Sequence, residues 1–246
     1  MTVQLLPAVA LFLALGLALQ SAVGFGCGLF AIPLMLWVGL PLPVAIAVTL
    51  AGVFGQTAWN TWQYREHVPW RLTWPMMTLR AVSMPVGVWL LGLLAEQSQS
   101  RVKLTVGLIL MLVLGIQWFL KVKPRHHVAA GWTGLAGVTS GLMAGLLGMG
   151  GPPVVLWVMG HDWPGKRARA FLWATFLQLM PLQMAIIIWK FGQPVTEGLL
   201  AGALMLPVSV AASTLGLKLG ERLSRQRLRV AAFGLLIFIA LSMVVS

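Results

Sequence analysis

This chain predicts an all-α polytopic membrane protein, and three observations carry that reading. Of its 246 residues, 59% are hydrophobic and only 9% are charged, whereas a soluble domain carries about 25% charged residues. The apolar residues form long continuous runs rather than the alternation of a barrel strand. Because a spanning chain must satisfy every backbone N–H and C=O internally, helices remain. Finally, the Lys and Arg that give a net charge of +12 sit, with one exception, in short stretches between the runs or at the very ends of runs. Such loops mark the cytoplasmic face of a membrane, so lipid bilayer and not nucleic acid is the expected surroundings.

Taken in order, the first run covers 4–20. The first basic residue is Arg65, so this run lacks the positive n-region of a signal peptide and is read as a retained segment. The next, 29–40, is too short for the roughly 20 residues of a crossing. It follows the glycine-rich stretch Gly24-Phe25-Gly26-Cys27-Gly28. Segments 44–62, 72–94 and 102–120 are full spans. The second half starts with 128–147 and a second short piece, 152–160, again behind glycines: Gly145, Gly148, Gly150 and Gly151, followed by Pro152 and Pro153. Segments 170–189, 197–217 and 229–245 complete the chain.

A shift of 120 residues superimposes Gly28 on Gly148, Pro33 on Pro153, Leu36 on Leu156 and Trp37 on Trp157. Further on, Pro85-Val86 resembles Pro207-Val208, and Arg101 with Lys103 resembles Arg227 with Arg229. The ordered set predicts one unit repeated twice, over 1–122 and 123–246. If each repeat begins with a broken helical hairpin that returns to its starting side, one face of the membrane holds thirteen Lys and Arg residues. The other holds only Arg101, Lys103 and Lys190. The positive-inside rule favours this arrangement over single crossings. Each half then has five segments, an odd number, so the second half is inverted and both termini lie outside the cytoplasm. Secondary transporters share this plan, with broken helices meeting at the midplane.

The acidic residues Glu66, Glu96, Asp162, Glu197 and Glu221 and all four histidines fall in loops or at segment ends. No nucleophile with a base and no metal cluster can be assembled at depth, so neither an enzyme nor a metal or cofactor site is expected. The lone Cys27 permits no intrachain disulfide.

Arg80 is the one basic residue deep inside a run, about 12 Å from its start at 1.5 Å per residue. With no carboxylate near it in sequence, it either partners a bound anion or snorkels to the headgroups. The glycine breaks also have two readings: close helix packing, or exposed N–H groups at half-helix N-termini that attract an anion. Prolines 152 and 153 suit a first helical turn, which has no intrahelical partner for their missing N–H groups. Polar residues at depth include Gln20, Ser21, Gln56, Ser140, Thr175, Gln178, Gln183, Ser209 and Ser213, which line a pathway or bond helices together. The expected binding set for a small anion is Arg80, Gln20, Ser21, Gly24, Gly26, Gly28, Gln56, Ser140, Gly148, Gly150, Gly151 and Pro152.

The stretch Gly24-Phe25-Gly26-Cys27-Gly28-Leu29-Phe30-Ala31-Ile32-Pro33, together with the run from Ser140 to Leu156, resembles the two signature stretches of the TauE/SafE sulfite exporter family, also called toluene sulfonate uptake permeases. The resemblance implies transport of sulfur-containing anions such as sulfite, sulfoacetate or other sulfonates across a bacterial inner membrane. Export is the expected direction, because an inside-negative potential favours it without a coupling ion. An uptake carrier for a sulfonate or carboxylate and a non-transporting membrane scaffold are the alternatives, and a homodimer is left open.

Overall fold

The computed structural model describes residues 5–23, 26–120, 128–222 and 225–245. Among these every regular element is helical. The first half contains α1 (Leu6–Val23), α2 (Cys27–Trp37), α3 (Leu42–Gln63), a 3-10 turn (Arg65–His67), α4 (Trp70–Ala95) and α5 (Gln99–Phe119). The second contains α6 (Ala130–Leu147), α7 (Gly151–Met159), α8 (Gly165–Phe191), α9 (Gln193–Leu204), α10 (Leu206–Arg222) and α11 (Arg225–Val245). The expected boundary between residues 122 and 123 lies outside the described residues.

Helices α3, α4, α5, α6 and α8 are long and apolar enough to cross a bilayer, and α9 with α10 makes a sixth candidate bent by 55°. With 11 and 9 residues, α2 and α7 reach only about 16 and 14 Å, half the hydrocarbon thickness. The expected short pieces are therefore short helices. The single segment expected over 197–217 is corrected to two helices that meet at Met205. Pro207 stands at the second position of α10, where it has no N–H to give to Ala203 and disfavours a helical conformation at Leu206.

Helix positions give a second register beside the one read from residue identity. The start of α6 lies 124 residues after that of α1, and the start of α7 lies 124 after that of α2. That is about one helical turn beyond the shift of 120. In an apolar, glycine-rich sequence a four-residue slip keeps the same helix face, so identity cannot separate the two registers. By position Gly26 aligns with Gly150, each directly before a short helix. Pro33 lies within α2, whereas Pro153 lies in the first turn of α7.

Buried without interruption from Leu42 to Val53, α3 is the central column of the bundle. It packs on α2, α8 and α9. Around it α4 packs on α6 as α10 packs on α1, and α5 packs on α11. Small residues let these backbones close up, as they must where lipid supplies no hydrophobic drive. On α6, Gly137, Gly141 and Gly145 recur every turn against α4. A methyl at Gly141 would strike the Arg80 carbonyl and the Ser83 hydroxyl, and one at Gly145 would strike the Met84 carbonyl. Trp59, Trp62, Trp70, Trp74 and Trp189 are exposed, as interfacial anchors are. Trp157 is buried and stacks on Phe171 at 4.9 Å.

Candidate functional site

Two chain breaks build the site. The first lies between α1 and α2, where Gly26 adopts a φ of 115° directly before the helix. In the second, α6 ends at Gly148, whose φ of 69° lies in the left-handed region. Gly148 N–H bonds the Ala144 carbonyl at 3.0 Å and Met149 N–H bonds the Met143 carbonyl at 3.3 Å. The bond from Gly148 to Ala144 is the αL closure of a helix end, which a glycine permits without a Cβ penalty. The breaks meet: a methyl placed on Gly28 would stand 3.1 Å from the Gly148 carbonyl oxygen.

Beside this meeting point lies a cavity of about 90 Å³. The two breaks form one part of its wall. Thr49 and neighbouring apolar residues of α3, Phe176, Met180 and Gln183 of α8, and Arg80 of α4 form the rest. Arg80 is only 2% exposed. Its Nη1 donates to the Thr175 carbonyl at 2.7 Å, and its guanidinium carbon lies 5.3 Å from the centre of the Phe176 ring. Its Nε has no partner among the described residues, and none of the described residues lining the cavity is acidic. Of the two readings of Arg80 open in the sequence, snorkelling to the headgroups is not the one adopted. Close packing of α4 on Gly141 fixes the Arg80 backbone, and the side chain runs inward to α8.

Most of the expected binding set comes together here. Gln20, Gly26, Gly28, Arg80, Gly148, Gly150, Gly151 and Pro152 all border the cavity. Gln20 Oε1 accepts from Cys27 N–H at 3.1 Å, tying α1 to the start of α2. Ser140 is fully buried behind the wall, where its hydroxyl donates to the Gly150 carbonyl. Ser21 and Gln56 are placed elsewhere: Gln56 Nε2 donates to Ser21 Oγ, and Ser21 Oγ lies 2.9 Å from Ser213 Oγ. These three knit α1, α3 and α10 together rather than line the cavity. Gly24 lies outside the described residues.

Besides apolar residues, Cys27, Gln183 and Thr49 line the cavity without having been in the expected set. Cys27 entered only as a lone cysteine. Gln183 was one polar residue at depth among several, and only its bond to Ala144 O at 2.7 Å distinguishes it. Thr49 satisfies its own hydroxyl on Ala45 O at 2.8 Å, which gives no signal in sequence.

A bundle of membrane-length helices around an internal cavity, with a buried cation at broken half-helices, defines a polytopic membrane protein of the transporter type. The chain belongs to the sulfite exporter TauE/SafE family, whose sequence profile matches residues 8–243. It is similar to a probable sulfite/organosulfonate exporter TauE of Cupriavidus necator, with 27% identity over 243 residues that cover 97% of this chain and 94% of the relative. No solved structure matches it.

Proposed function

We propose that this protein is a secondary transporter or facilitator that moves a small sulfur oxyanion, sulfite or an organosulfonate such as sulfoacetate, outward across a bacterial inner membrane. One observation carries the reading: a guanidinium buried at the meeting of two helix breaks, with its Nε unpartnered beside a cavity that has no acidic lining among the described residues. A buried cation is costly without a counter-charge, and an anion in the cavity supplies it. The name of the Cupriavidus relative supports sulfur as the central atom.

Two inverted repeats, 1–122 and 123–246, each opening with a hairpin of one long and one short helix, frame the site. The exchange-related pairings of α4 with α6 and α1 with α10 support this symmetry. An inside-negative potential favours anion exit by about 2.3 kcal/mol per charge per 100 mV, so export needs no coupling ion.

Flux of labelled sulfite, sulfoacetate and acetate in proteoliposomes tests the reading. Wild type should move the sulfur anions well above empty vesicles and acetate poorly, and Gly148→Leu should abolish flux, because its φ and its contacts with Ile32 and Ile46 admit no side chain. Flux of none of these anions, or equal flux of all three, contradicts it.

A further inference from the structure

We infer that the cavity takes its anion with a single negative charge and a proton to donate, so that sulfite crosses as hydrogensulfite rather than as the dianion. This rests on the anion-transport reading above and names the charge state that the site selects.

The hydrogen-bond inventory of the wall points to it. Two side chains have donors to spare: Arg80 through the guanidinium N–H groups not given to the Thr175 carbonyl, and Gln20 through Nε2, since its Oε1 is engaged by Cys27 N–H. Two others offer lone pairs. Gln183 gives one of its two Nε2 protons to the Ala144 carbonyl. That carbonyl can only accept, which fixes the orientation of the amide and leaves Oε1 as the free end. Thr49 spends its hydroxyl proton on the Ala45 carbonyl. An anion that carries no proton would meet these oxygens lone pair to lone pair, whereas one that keeps a proton can donate to one of them and receive from Arg80 and Gln20.

Formal charge leads the same way. Arg80 is the only ionised side chain among the described lining residues, and one negative charge neutralises it. The half-helix ends add less than the roughly half charge of a complete helix N-terminus. In α2 the Cys27 N–H is already bonded to Gln20, and in α7 Pro152 and Pro153 have no N–H to present. A second negative charge would be buried without compensation, at a cost that favours keeping the proton.

The test is the charge moved per sulfur, measured as current and as labelled flux from the same proteoliposomes over a pH range spanning hydrogensulfite ionisation. Methanesulfonate, a monoanion at every pH used, is the control. The expected result is one elementary charge per sulfite at all pH values. The KM for total sulfite should rise about tenfold per pH unit above the ionisation, while that of methanesulfonate stays constant. In Gln183→Leu, sulfite should lose about tenfold more in KM than methanesulfonate, which has no proton to donate. Two charges per sulfite at high pH, a pH-independent KM, or equal losses for both anions in Gln183→Leu would overturn the inference. Methanesulfonate flux with any of those results leaves the anion-transport reading standing; flux of neither anion overturns both.

Discussion

Arg80 illustrates what a single residue can reveal. A guanidinium eleven positions into a 26-residue apolar helix is too costly to be incidental, so its importance is legible from sequence. Its orientation is not, because that depends on Gly141 in another helix and on the Thr175 carbonyl in a third. Thr49 and Gln183 were less legible still, since a threonine that bonds its own helix and one glutamine among several look ordinary until α3 and α8 face the same cavity. The state of Arg80, with Nη1 on the Thr175 carbonyl and Nε without a partner among the described residues, yields a prediction at this scale. Lysine retains the charge but presents a point ammonium without the fixed fork of donors. Arg80→Lys should therefore keep transport while its KM for sulfite rises roughly tenfold, the value of one charge-assisted hydrogen bond. Saturation kinetics in proteoliposomes measure it, and an unchanged KM would remove the guanidinium fork from the site.

Among the elements, the short helices were visible because a run of about ten apolar residues cannot cross a bilayer. The break at Met205 and the register of 124 were not. Proline is tolerated within other helices of this chain, at Pro75 and Pro85 in α4 and at Pro181 in α8, so Pro207 alone did not announce a bend. A four-residue slip between the proposed repeats preserves the helix face and with it the pattern of apolar and small residues. The α4–α6 pair gives the element-scale prediction. Gly141→Ala puts a methyl into the Arg80 carbonyl, a collision with backbone that no rotamer relieves, and should cost about 1–3 kcal/mol. Gly134→Ala, on the same helix with nothing within 4 Å of its Cβ position, should be neutral or slightly stabilising. Thermal unfolding of the two variants in detergent compares them directly, and equal melting temperatures would mean that α4 and α6 do not pack as described.

For the whole molecule, membrane class and helical architecture follow from composition, while the orientation of the halves rests on charge counting. If each half opens with a returning hairpin, thirteen Lys and Arg residues face the cytoplasm and both termini face away from it. A C-terminal alkaline phosphatase fusion should then be active and a C-terminal fluorescent-protein fusion dark; the reverse pattern would dismantle the inverted-repeat proposal. The central claim, that a small sulfur anion crosses through the cavity held by Arg80, is tested most directly by efflux of labelled sulfite from proteoliposomes bearing wild type or Arg80→Ala at matched protein content. Efflux from Arg80→Ala should fall by about 10- to 100-fold, the loss expected when a charged hydrogen-bond donor is removed. Efflux equal to that of wild type would contradict the account.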